Sequence, residues 1–297
     1  MNPCANPSSD PAAVPATPVC DAAAVILAFD TSTEYCSVAL LVAQAGADPF
    51  MPWHEAQEGG APNAQACARL YVRHEHTGAV SSARLLPLIQ GVLAEAGVAL
   101  AACDAIAFGA GPGSFTGLRT ATGVAQGLAF GLGIPVVPVG TLMACAEAAR
   151  AADVQANCVL SALDARMDEV YWGCFEWQGG AHAGAPLGWA SAPAAALDAP
   201  ENLPVPPSPY TLAGSAAEVF GARLSVFAGA RSVATQALPH AAAVAMLGWR
   251  GWRHGQAFDA ALAAPLYIRD KIAQTTAERD LARATRVAAD AAAAAGR

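Results

Sequence analysis

The most constraining stretch of the chain is "AIAFGAGPGSFTGLRTATGVAQGLAFG", residues 105–131. A short apolar run meets a glycine-rich turn and continues as a segment of small residues with helical spacing. This reads as a strand, a tight turn and a helix over about Phe115–Leu132, with Ser114 able to cap it. Gly111 and Gly113 permit tight turns, and Arg119 lies one turn into the helix. Such a turn can aim backbone N–H groups at a phosphate. Yet no Gly-Lys-Ser/Thr follows, and the spacing Gly111, Gly113, Gly117 misses the dinucleotide fingerprint by one residue. From the residues alone, an anion site and a purely structural turn both stay open.

The second half of the stretch raises a different question. Gly123, Gly127 and Gly131 recur every four residues, along one helix face. Each helical glycine costs about 0.5–1 kcal/mol relative to alanine. Three on one face imply close approach of another backbone. That backbone is either the preceding helix of the same chain or another protein.

Around this stretch the chain alternates strands and helices. "AVILAFD" and "CSVALLVAQ" form a hairpin through "TSTEY", and "RLYVRHE" supplies a third strand after a Pro- and Gly-rich surface insertion over 45–68. A helix starts at Ser81 or Ser82, carries Leu85, Leu86, Ile89, Val92 and Leu93 on one apolar stripe, and stops at Gly97. "IPVVPVG", a helix from Thr141, "CVLSALDA" and "DEVYWGCFEWQ" continue the alternation. A surface segment over 179–209, the strand "YTLAG" and helices over 215–221 and 239–252 follow. The expected class is α/β, with mixed sheets covered by helices.

Composition narrows the function classes. The net charge is −8, and a single lysine, Lys271, stands among 16 basic residues, so no broad cationic surface can track a nucleic-acid backbone. Eight cysteines occur without a Cys-x-x-Cys pair, which disfavours a zinc ribbon or dithiol site. Residues 1–23 have no basic residue before an apolar core, and no run of about 18 apolar residues is uninterrupted, so we expect a disordered leader and a cytoplasmic chain without membrane contact. Asp30 ends a buried strand, and Thr31, Ser32 and Thr33 can satisfy turn amides; this suits a turn better than a metal site. His74 and His76 point to one side of a strand and lack a third ligand. Arg166, Asp168 and Glu169 are expected in a solvated turn, and no Gly-x-Ser-x-Gly elbow is present.

Three stretches, "LAFDTSTEYCSVAL", "GAGPGSFTGLRTATGVAQGLAFGLGIPVVPVGTL" and "LDARMDEVYWGCF", together resemble the bacterial TsaB family. "RHEHTG", "LLPLIQGVL" and "PLYIRDKIA" fit as well, so the likeness runs from Ala24 to Thr276. The resemblance implies two ribonuclease-H-like lobes of the actin and sugar-kinase superfamily. It places a leader at 1–23, a first lobe at 24–125 completed by about 263–276, a second lobe at 126–262 and a tail at 277–297. It also implies a non-catalytic subunit that forms a heterodimer with the catalytic paralogue TsaD, joined by the ATPase TsaE, in making threonylcarbamoyladenosine beside the tRNA anticodon.

On this reading no cofactor is tightly bound by the chain; ATP and a metal belong to partner subunits, tRNA is met only through the complex, and a homodimer is an option for the chain alone. The partner face would be two helices, about Ser82–Ala96 and Phe115–Leu132, pairing with their TsaD equivalents in a four-helix bundle. Its candidate residues are Leu85, Leu86, Ile89, Leu93, Leu118, Gly123, Gly127 and Gly131. Asp30, Thr31, Ser32, Thr33, Gly111, Gly113, Ser114, Thr116 and Arg119 form either a structural loop or a contact for a nucleotide at the subunit interface. The superfamily's first phosphate loop runs Asp-x-Gly-x-Thr, whereas this chain has "DTSTE", with Ser32 at the glycine and Glu34 at the threonine. The competing reading is an ATPase or small-molecule kinase using Asp30 and the loop 111–117.

Overall fold

The computed structural model describes residues 23–51, 57–58, 67–180 and 185–269. Residues 1–22 of the expected leader, most of the 52–66 stretch of the insertion and the expected tail lie outside the described residues. The chain divides into a unit ending at Leu266 and a second unit, Tyr267–Arg297. The architecture below is that of the first unit.

Strands β1 (Ala24–Asp30), β2 (Tyr35–Ala43), β3 (Gln57–Glu58) and β4 (Ala68–His76) precede helix α1 (Ser81–Ala96). Strand β5 (Ala105–Gly111), helix α2 (Phe115–Leu132), strand β6 (Val136–Gly140) and helix α3 (Thr141–Ala152) follow. The remaining elements are β7 (Cys158–Asp164), β8 (Val170–Trp177), β9 (Trp189–Ser191), β10 (Ala196–Asp198), β11 (Thr211–Ala213), α4 (Ala216–Phe220), β12 (Ser232–Ala234) and α5 (Ala241–Arg253).

The strands form two sheets of one design. The first runs β3-β4-β2-β1-β5-β6 and the second β10-β8-β7-β11-β12, with β9 beside β8. In each, an antiparallel hairpin (β1 with β2, β7 with β8) continues through a parallel pairing of its first strand, with β5 in one case and β11 in the other. The repeat of this order is the two-lobed, ribonuclease-H-like design that the resemblance implied.

Burial explains why β1 and β5 read as continuous apolar runs. Leu27 and Phe29 of β1 face a core with α1 and α2, while Ile26 and Ala28 face a second core with α3 and α5. A strand covered on both faces needs no polar alternation. Helix α5 is buried on every side from Ala241 to Gly251, because it lies in the layer between the sheets and packs on β1, β2, β5 and α3. The core on this side joins residues of both sheets, such as Ile26 of β1 and Phe175 of β8.

Two expectations need correction. The lobe boundary drawn at 125/126 falls inside α2, whose Ala121, Ala125 and Ala129 bind it without a break to the core on β5. The first sheet in fact extends to Gly140, since β6 pairs with β5. The segment 179–209 is not wholly a surface loop, because it holds β9 and β10 and buries Trp189. Among the described residues, no helix is long and apolar enough to cross a membrane.

Candidate functional face and the glycine turn

The turn after β5 is packed against the chain's own β1–β2 turn. The Ser114 N–H donates to the Ser32 carbonyl at 2.7 Å, and Thr31 Oγ1 donates to the Gly117 carbonyl at 2.7 Å. A Cβ on Gly113 would lie 2.6 Å from the Ser32 carbonyl oxygen, and one on Gly117 would overlap the Thr31 carbonyl oxygen. Gly111, at φ +120°, is likewise backed by the Leu266 carbonyl, 2.7 Å from where its Cβ would stand. The glycines of "GPGSFTG" are therefore explained by close approach of the chain's own backbone, Gly113 and Gly117 against residues 31 and 32 and Gly111 against Leu266. The Ser114 N–H at the start of α2, which a phosphate would use, is taken by Ser32.

Asp30 belongs to the same cluster. It is buried, and its Oδ1 accepts from the Ser32 N–H at 2.9 Å and the Ser32 hydroxyl at 2.8 Å. Its Oδ2 has no hydrogen-bond partner among the described residues. Burial outweighs these bonds and pushes its pKa up to about 6. Thr33 Oγ1 accepts from the Tyr35 N–H, completing the turn. The structure thus gathers Asp30, Thr31, Ser32, Gly111, Gly113 and Ser114 into one turn whose hydrogen bonds are made within the chain, Asp30 Oδ2 excepted. Thr116 and Arg119 instead point outward from the first turn of α2, with the Arg119 guanidinium 3.9 Å over the Phe115 ring.

The helix face divides differently from the expectation. Leu85, Ile89 and Leu93 of α1 and Leu118 of α2 are buried in the chain itself, so these four are not available to a partner. The apolar stripe of α1 is committed to β2, which explains its hydrophobicity fully. The outward row of α1 is Leu86, Gln90 and Ala94, one position beyond the buried one. Leu86, 48% exposed, remains on the surface as expected.

On α2 the glycine stripe faces outward. Gly123, Gly127 and Gly131 are exposed, and no described atom lies within 4 Å of the position a Cβ would take on any of them. The intramolecular reading of the stripe, close packing on α1, is therefore overturned. Phe130, 80% exposed beside Gly131, is a residue the sequence reading missed. Its signal was an aromatic residue three positions from Gly127, on the helix side away from Ala121, Ala125 and Ala129.

The remaining candidates carry no site. Tyr35 stacks on His74 at 4.5 Å between ring centroids and meets His76 edge-on, so the two histidines do share a side of β4. Among the described residues no group of three or more His, Cys, Asp or Glu side chains is placed to hold a metal. Arg166, Met167 and Asp168 form a turn with φ near +60° that is exposed, as expected, and in it Asp168 pairs with Arg223 at 2.7 Å.

Known proteins give the context. Residues 75–289 match the family model "TsaD: tRNA N6-adenosine threonylcarbamoyltransferase". The chain is 44% identical over 147 residues to the tRNA threonylcarbamoyladenosine biosynthesis protein TsaB of Haemophilus influenzae, covering 50% of this chain and 52% of that protein. It is 44% identical over 149 residues to TsaB of Escherichia coli K12, covering 50% and 53%. The chain thus matches about half the length of these relatives. The solved structure of YeaZ from Pseudomonas aeruginosa superposes with a TM-score of 0.66 at 36% identity, over 82% of this chain and 99% of that one. Matched by the family model across most of its length and by YeaZ across nearly all of YeaZ, the chain belongs to the TsaD family and, within it, to the TsaB/YeaZ branch.

Proposed function

We propose that this chain is the non-catalytic subunit of a cytoplasmic tRNA threonylcarbamoyladenosine assembly. It pairs with a TsaD catalytic subunit through the outward face of α1 and α2, and TsaE joins the pair. ATP, the metal and the tRNA are handled by the assembly rather than by this chain alone.

The observation that carries the reading is the open glycine stripe. Gly123, Gly127 and Gly131 weaken α2 without permitting any described contact inside the chain. A helix from another subunit can approach such a face closely, with Phe130 and Leu86 as apolar anchors beside it. The reading that this chain is itself the transferase or a kinase is disfavoured by two features. No two histidines stand four apart to give the metal motif expected of the catalytic paralogue, and Ser32 replaces the glycine of the phosphate loop.

Reconstitution with TsaD, TsaE, ATP and unmodified tRNA tests the proposal. Modification should require this chain, and the chain alone should neither hydrolyse ATP nor transfer the threonylcarbamoyl group. Robust turnover by the purified chain that disappears in Asp30→Ala would contradict it.

A further inference from the structure

Helix α5 is apolar and buried, yet it carries Arg250 with no exposure at all. A guanidinium cannot shed its charge, so burial requires a complete set of acceptors. Arg250 has them. Its Nη1 and Nη2 donate to the two Glu147 carboxylate oxygens at 2.9 and 2.8 Å, its Nε donates to the Pro49 carbonyl at 2.6 Å, and Nη1 also reaches the Leu187 carbonyl at 3.2 Å. The Trp189 indole N–H donates to Glu147 Oε2 at 2.7 Å.

These partners come from three separate places. Glu147 is on α3, Leu187 and Trp189 lead into β9 of the second sheet, and Pro49 lies in the segment that leaves β2 of the first sheet. Arg253, one turn further along α5, donates to the Ala47 carbonyl of the same segment at 2.9 Å. Phe50 lies against the Arg250 guanidinium, with Trp177 of β8 and His254 close by. A Cβ on Gly188 would come within 3.2 Å of the Phe50 ring. The start of the insertion, expected to be surface, is thus seated against the second sheet.

We propose that residues 44–51 are a latch that fastens the first sheet to the second, with Phe50 as its bolt and the buried Glu147–Arg250 pair as its seat. Two-lobed chains of this layout can open and close about a hinge between the lobes. Here the path of such a motion is blocked by a segment that crosses from β2 to β8 and β9. The consequence is a stiff body whose outer helix face keeps one geometry, whichever partner that face takes.

Hydrogen exchange on the full chain tests the latch. Phe50→Ala should raise the exchange rates of amides in 47–51 and 185–191 about tenfold, with β1 and β5 unchanged. Phe50→Leu, which keeps most of the apolar contact, should give a smaller rise in the same two segments. Unchanged exchange at 185–191 in both variants would overturn the latch. So would an equal rise across β1, β5 and these segments, since that would mark simple loss of global stability.

Discussion

Two glycine sets within one stretch of chain serve opposite ends. Gly113 and Gly117 sit where any side chain would strike the Ser32 or Thr31 carbonyl of the same molecule. Gly123, Gly127 and Gly131, beginning six residues later, sit where a side chain would meet nothing described. The first set is accounted for by the fold. The second set lowers the helix's own stability and leaves its space unused among the described residues, which is the space the proposed partner helix would fill. Glycine-rich sequence by itself does not distinguish these cases; the surroundings of the missing Cβ do.

The largest effect is expected in the first set. Gly117→Ala forces its methyl against a backbone carbonyl that cannot swing aside, so the loss should reach about 3 kcal/mol or more despite the better helix propensity of alanine. Denaturant unfolding measures it. A variant as stable as the parent would mean that the Thr31 turn and α2 are not held in contact.

Asp30 should give the next effect, through pH. Its carboxyl titrates near 3.8 when unfolded and about 6 when folded, so the native state holds the proton more tightly. Its contribution is therefore fully present below about pH 4 and is lost as pH rises through 6. The shift of about two units corresponds to about 3 kcal/mol. Asp30→Asn removes that titration, so its stability relative to the parent should improve as pH rises from 4 to 7. A difference that stays constant over this range would show that burial does not govern this carboxyl.

The limits of the sequence reading follow from the same contrast between local and distant causes. The bounds of α2 were legible because they are set locally: Ser114 accepts from the Gly117 N–H, and Gly133 closes the helix at φ +67°. The sides of α1 were not separated, since Leu85 and Leu86 are chemically alike and only the position of β2 decides which is buried. The contact of Gly113 and Gly117 with residues 31 and 32 joins segments some 80 positions apart, beyond any local pattern. β9 was missed because it is three residues long in a Pro- and Ala-rich segment, and Trp189 is buried by packing in the core between the sheets, where Glu147 satisfies its N–H.

In the second set, Phe130→Asp should leave the thermal midpoint of the isolated chain nearly unchanged, because the ring is exposed. It should weaken binding to TsaD about tenfold or more, as a charge would replace an apolar anchor at the interface core. Calorimetric titration reads the binding and a melting curve reads the fold. Unaltered affinity would remove Phe130 from the interface.

The most direct test of the outward-facing stripe is Gly127→Leu, measured in parallel for melting of the isolated chain and for titration with TsaD. Open space at the Cβ and the propensity gain of about 0.5–1 kcal/mol predict a midpoint equal to or slightly above that of the parent. The added side chain should hold the partner helix away and weaken binding by at least about tenfold, or about 1.4 kcal/mol. A variant that keeps its fold and binds TsaD as tightly as the parent would contradict the account, because the stripe would then serve neither the chain nor its partner.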